Sequence, residues 1–109
     1  MPLQIAYPTI PLSGSISGII GAKFSKLAGL WCPTITSAQV FILGSFDQTS
    51  ANFTRVQNPE GSGAWTFAAG PGSKCVTLEK ACMPFPFLRV ETSVVQAQVS
   101  SMALIFKLF

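Results

Sequence analysis

The stretch FLRVETSV, residues 87–94, decides the fold, because apolar and polar side chains alternate along it. Leu88, Val90 and Val94 fall on one face of an extended chain, whereas Arg89 and Glu91 fall on the other. A period of two is the pattern of a β-strand with one buried face. We therefore predict a strand here, with the face that carries Leu88 directed into the core.

The stretch SSMALIFKLF, residues 100–109, repeats this pattern closer to the end of the sequence. One face carries Met102, Leu104, Phe106 and Leu108, and the other carries Ala103, Ile105, Lys107 and Phe109. We predict a closing strand that is tied into a sheet.

Toward the beginning of the sequence, further strands are predicted at residues 15–23, 26–31, 38–46, 52–57, 64–68 and 73–79, with glycine, proline and polar residues marking the turns. Residues 38–46 are apolar on both faces, which predicts a strand buried on both sides. No segment shows the capped periodicity of a helix. About eight strands predict an all-β jelly roll or β-sandwich, with a small closed barrel as the alternative.

The first thirteen residues are predicted to form an extended, proline-rich N-terminal arm, and residues 14–109 a single β-sandwich domain. The arm is apolar despite its prolines, so it should lie along its own domain or along a neighbouring molecule, and we favour the neighbour. Deletion of residues 2–12 should then leave the domain folded. The predicted protein-interface residues are Leu3, Ile5, Tyr7, Ile10, Leu12 and Trp31.

Hydrophobic residues make up 49% of the chain and charged residues only 10%, against about 25% charged in an average soluble domain. This scarcity predicts that part of the surface is covered by a partner or a second copy, although uncharged polar residues offer another explanation. We predict a homodimer, with a trimer as the alternative. A net charge of +3 spread along the chain argues against a nucleic-acid partner.

No stretch approaches the roughly 18 apolar residues of a membrane helix, so no membrane partner is expected. The start of the sequence carries no signal peptide, which predicts synthesis in a cytoplasm-like compartment, with retention there or exit by a route other than secretion.

The sequence offers little material for catalysis. It contains no histidine, so neither Ser-His-Asp nor Cys-His chemistry is available. The acids, Asp47, Glu60, Glu79 and Glu91, are best explained as solvated charges. Cys32, Cys75 and Cys82 lack zinc-ligand spacing and are expected to be buried free thiols, with a bridge between the last two as the alternative. We expect no enzyme activity, catalytic residue, cofactor or metal.

Several short motifs in residues 40–109 resemble those of small structural proteins from tailed double-stranded DNA phages. They are GSFD at 44–47, FTRV at 53–56, VTL at 76–78 and FLRV at 87–90, followed by a glutamine-rich bend and a hydrophobic last strand. The pattern is similar to that of the jelly-roll capsid decoration proteins, also called cement or staple proteins, of epsilon15-like phages.

The resemblance implies a virion protein, made in a host cytoplasm, on the outer surface of the capsid. Its partner would be the major capsid protein, whose shell it would stabilise across neighbouring capsomers. Related patterns also occur in head-fibre and tail modules. A receptor- or carbohydrate-binding module and a tail or connector component are therefore the alternatives.

Overall fold

The computed structural model describes residues 3–21, 25–57, 63–77 and 85–108. Its strands are β1 (Leu3–Ala6), β2 (Thr9–Ile10), β3 (Ile20–Gly21), β4 (Ser25–Cys32), β5 (Ala38–Ser45), β6 (Thr54–Arg55), β7 (Thr66–Ala69), β8 (Lys74–Thr77), β9 (Phe87–Thr92), β10 (Ser100–Ser101) and β11 (Ala103–Leu108). A single 3₁₀ turn, Ser50–Asn52, interrupts the strands within the described residues.

The strands form two larger antiparallel sheets with jelly-roll connectivity, and a two-stranded sheet of β2 and β10 continues the first of them. Sheet I has the order β1-β11-β4-β8. Sheet II has the order β3-β9-β5, and β6 and β7 both pair with the remaining edge of β5. From β2 to β5 the chain changes sheet at every step, and it does so again from β7 to β8, from β8 to β9 and from β9 to β10. It stays in one sheet from β1 to β2, through β5, β6 and β7, and from β10 to β11. The predicted jelly roll is therefore confirmed, and within the described residues the sheets do not close into the barrel that was the alternative.

The core lies between the sheets and is built from every second side chain along the strands. Leu88 and Val90 of β9 are 0% exposed, as are Val40 and Ile42 of β5 and Leu104 of β11. Each such side chain contributes about 1.5–3 kcal/mol relative to an exposed position. Trp65 and Phe67 share a face, as their spacing in the sequence predicts, and pack edge to face with ring centroids 5.5 Å apart.

Three strand predictions need correction. The predicted strand at residues 52–57 is reduced to Thr54–Arg55, because Asn52 belongs to the 3₁₀ turn and Gln57 makes only an isolated bridge. Val94 is 43% exposed, because β9 ends at Thr92 and the chain turns away from the sheet. The predicted strand at residues 15–23 is reduced to Ile20–Gly21 and an isolated bridge between Ile16 and Glu91.

The N-terminal segment is extended, as predicted, but it lies on its own domain rather than along a neighbour. Leu3–Ala6 pairs with β11, and Thr9–Ile10 continues the same register against β10. Ile10 is 0% exposed and belongs to the core, so its assignment to an interface is wrong. Deletion of residues 2–12 would remove a strand of sheet I and a core side chain, so this deletion should destabilise the domain rather than leave it intact.

A buried glutamine fastens the loops at one end of the sandwich. Gln96 is 0% exposed, its Oε1 accepts the Thr36 backbone N–H at 2.9 Å, and its Nε2 donates to the Val94 carbonyl at 3.0 Å. The glutamine-rich bend of the sequence therefore links the β4–β5 loop to the loop that follows β9. A buried amide that is satisfied in this way fixes the loops in one arrangement.

Candidate functional site

The outer face of sheet I is the candidate site, because apolar side chains from several strands meet there. The register places Ile5 opposite Ile105, and Ile105 opposite Gly29. In the neighbouring row, Ala103 lies opposite Trp31, and Trp31 opposite Cys75. Directly opposed side chains lie about 4.5–5.5 Å apart at Cβ and so form contiguous rows.

Tyr7 extends the second row to the edge of the sheet. The Pro8 carbonyl accepts the Met102 N–H at 3.0 Å, so the register of β1 continues through residues 7 and 8 and brings Tyr7 opposite Ala103. Tyr7 is 64% exposed, Ile5 48% and Trp31 38%. Ala103, which lies between Tyr7 and Trp31, is itself only 8% exposed, so the accessible surface of this row belongs to the two aromatic side chains. Exposed apolar side chains that lie close together mark an interaction surface more often than isolated ones do.

The outer face of sheet II differs, because arginines of the same chain cover its aromatic rings. The guanidinium carbon of Arg55 lies 3.7 Å from the ring centroid of Phe41, and its Nε is 2.8 Å from Glu91 Oε1. Arg89 lies 5.5 Å from the ring centroid of Phe53. Such stacking shields the rings from solvent and leaves charged groups facing water. Within the described residues, no cation–ring contact involves Tyr7 or Trp31.

The predicted interface residues thus divide into groups. Ile5, Tyr7 and Trp31 come together on the outer face of sheet I. Leu12 is 60% exposed beyond the end of β2, and Ile10 is in the core. The side chain of Leu3 lies outside the described residues. Ile105 and Ala103 belong to the site but were not predicted, although the apolar second face of residues 100–109 was a signal for them.

The thiols and carboxylates of the described residues do not converge. Cys32 is buried, which raises the pKa of its thiol, and Cys75 is exposed, so the expected burial is wrong for Cys75. The Thr49 backbone N–H and the Asn52 amide donate to Asp47 and lower the pKa of its carboxyl. Cys82, Glu60 and Glu79 lie outside the described residues.

No group of three or more metal-binding side chains occurs within the described ranges. An open cleft of about 590 Å³ beside the β7–β8 turn is lined mainly by alanine, glycine and serine, with Lys74 at its border. No carboxylate lines this cleft in the described part of the chain, so it offers no acid–base pair. Among the helices described, none is long and apolar enough to cross a membrane.

No protein-family model matches the chain, and no curated protein matches its sequence. Among solved structures, the crystal structure of the mitogen derived from Yersinia pseudotuberculosis is similar, with a TM-score of 0.42 and 10% sequence identity. The alignment covers 99% of this chain and 86% of the mitogen. We draw no functional conclusion from a likeness at this level.

Proposed function

We propose that this protein is a non-enzymatic structural protein of a phage virion, a decoration or cement protein that binds the outer surface of the major capsid protein shell. The observation that carries the proposal is the group of exposed apolar side chains, Tyr7, Ile5 and Trp31, on the outer face of sheet I. The sequence motifs shared with capsid decoration proteins supply the class of partner. The location that follows is the outside of the capsid.

The outer face of sheet I has the composition of a binding surface. Trp and Tyr are the residues most often found as energetic anchors of protein interfaces, where each contributes 2 kcal/mol or more on truncation to alanine. The carboxylates that the structure describes, Asp47 and Glu91, lie outside this face. Docking would therefore leave neither carboxylate buried and unpaired. Lys107, in register with Leu3 on this face, is a charge that a partner would have to accommodate.

The proposed mechanism is mass action. A domain that binds the assembled shell and not the dispersed subunits stabilises the shell by its binding free energy. Contacts with adjacent capsomers oppose their separation when packaged DNA presses on the shell. This function needs no catalytic group.

The outer-face proposal is tested by comparing two aromatic-to-alanine variants in co-sedimentation with purified shells that lack the protein. Trp31→Ala removes the central aromatic of the outer face and should weaken shell binding about 30-fold, which corresponds to about 2 kcal/mol. Phe46→Ala is the matched control, since Phe46 is 84% exposed and follows the end of β5 in sheet II. Equal binding by both variants would contradict the proposal.

A receptor- or carbohydrate-binding module is the second candidate, and one observation favours it. Phe46 stands at a turn with its ring against Phe85, with centroids 5.8 Å apart in an edge-to-face arrangement. The exposed Phe46 ring, held against the half-buried Phe85, offers a stacking surface for a sugar or a receptor loop. In that case Phe46→Ala should abolish binding to a glycan array, and Trp31→Ala should leave it unchanged.

A further inference from the structure

The strand β1 has an open edge. In the described part of the chain, β1 is the terminal strand of sheet I and has β11 as its neighbour. The Pro8 carbonyl points toward β11, because it accepts the Met102 N–H. Backbone groups alternate in direction along a strand in an antiparallel pair. The N–H and C=O groups of Ile5 and Tyr7 therefore point away from β11 into the open edge, where the Tyr7 carbonyl accepts the Thr9 hydroxyl at 3.3 Å.

This edge lacks the features that normally prevent strand pairing. Exposed edges are usually protected by charged residues, bulges or proline. No charged side chain occurs in residues 1–22. Pro8 does not block the edge, because its missing N–H would face β11. The other outermost strands differ from β1: β8 and β6 carry charges, Lys74 and Arg55. The Lys74 ammonium also donates to the Ala68 carbonyl of β7, and β3 is only two residues long.

We infer that β1 pairs in antiparallel fashion with β1 of a second copy of the chain, which makes the protein a two-fold symmetric dimer. An antiparallel pair of identical strands is self-complementary, since each copy presents the same donors and acceptors. The uncharged segment brings no like-charge repulsion to the symmetry axis. A different protein would have to bring an exposed edge or an extended segment of its own, whereas a second copy always brings the matching edge.

The pairing would join the two copies of sheet I into one sheet of eight strands, four from each copy. Opposed residues in an antiparallel sheet point to the same face. The outer faces of both copies would therefore lie on the same side and form one wide apolar surface. If the proposed function holds, such a dimer engages two shell subunits at once, and the second contact benefits from effective concentration.

The test is the molar mass of the free protein, measured by sedimentation at micromolar concentration without shells. The expected mass is twice the 11.6 kDa of the chain. Ile5→Pro should weaken dimerisation at least about 30-fold while retaining the fold, because the lost N–H faces the open edge and is lost in both copies. Ile5→Val is the matched control, since it keeps the backbone donor and should remain dimeric.

If circular dichroism shows that Ile5→Pro does not fold, Ile5→Lys serves instead. It keeps the N–H but places like charges across the strand pair, and it should give monomers at low salt. A wild-type monomer or trimer overturns the inference, as does a folded variant of either kind that stays dimeric. Because mass is measured without shells, its result is independent of shell binding, whereas Trp31→Ala should stay dimeric and lose shell affinity.

Discussion

Replacing Ile10 by alanine should destabilise the protein strongly, although the residue lies in a segment that composition alone assigns to an exposed arm. Ile10 is 0% exposed and packs in the core between the sheets. Truncation of a buried isoleucine to alanine costs about 2–5 kcal/mol, because transfer free energy is lost and a cavity remains. Leu12→Ala is the matched control. Leu12 is 60% exposed, and its truncation should change stability by no more than about 0.5 kcal/mol.

The expected shift in melting temperature follows from the size of the domain. Unfolding entropy of about 2.1 cal/mol/K per residue gives about 0.23 kcal/mol/K for 109 residues. A loss of about 3 kcal/mol in Ile10→Ala then lowers Tm by about 13 °C. The loss is also a large fraction of the roughly 5–15 kcal/mol that stabilises a domain of this kind.

Urea titration followed by tryptophan fluorescence measures this difference, and a thermal melt provides the second readout. Ile10→Ala should unfold at clearly lower urea than the wild type with an unchanged slope, whereas Leu12→Ala should follow the wild type. Equal stability of the two variants would refute the placement of residues 3–10 in sheet I and return them to an external arm.

Three further changes test other parts of the structure. Gln96→Ala should cost about 1–3 kcal/mol in urea titration, because it leaves the buried N–H of Thr36 without its acceptor; a neutral result would mean that water replaces the amide. Arg55→Ala should lower the free energy of unfolding by only about 1 kcal/mol, since the ion pair with Glu91 is partly exposed to solvent. A loss above about 3 kcal/mol would show that the stacked guanidinium is essential to the stability of sheet II. Hydrogen bonds lower the pKa of Asp47 below its ordinary value of 3.8. The ionised carboxylate therefore stabilises the turn that follows β5 at pH values above 3.8, and this contribution is lost as the pH falls through the lower pKa of the folded state. An NMR titration midpoint above 3.8 would contradict the hydrogen-bonded turn.

The alternation of apolar and polar side chains along the sequence was sufficient to predict an all-β jelly roll or sandwich. Alternation in residues 87–92 and 100–108 identified the core faces of β9 and β11. Apolarity on both faces of residues 38–46 identified the buried Val40 and Ile42, but on the other face Leu43 is similarly buried whereas Phe41 is only half-buried. These signals are local, because each depends only on the spacing of side chains along a strand.

The N-terminal segment shows where local patterns were insufficient. Its prolines favoured an arm, but Pro8 only divides one long pairing into β1 with β11 and β2 with β10, since it cannot donate at that position. Ile10 is also an odd number of residues from Ile5 and Tyr7 along one extended segment, so its side chain points to the opposite, inner face. The arginines that cover sheet II could not be predicted, because Arg55 meets Phe41 only through long-range strand pairing.

The most direct test of the proposed function is a density map of phage particles that carry this protein. Our account predicts density for the jelly roll on the icosahedral outer surface, with the outer face of sheet I, including Tyr7 and Trp31, against the major capsid protein. Density confined to a tail, fibre or connector would contradict the account, as would a domain on the capsid whose sheet I faces solvent.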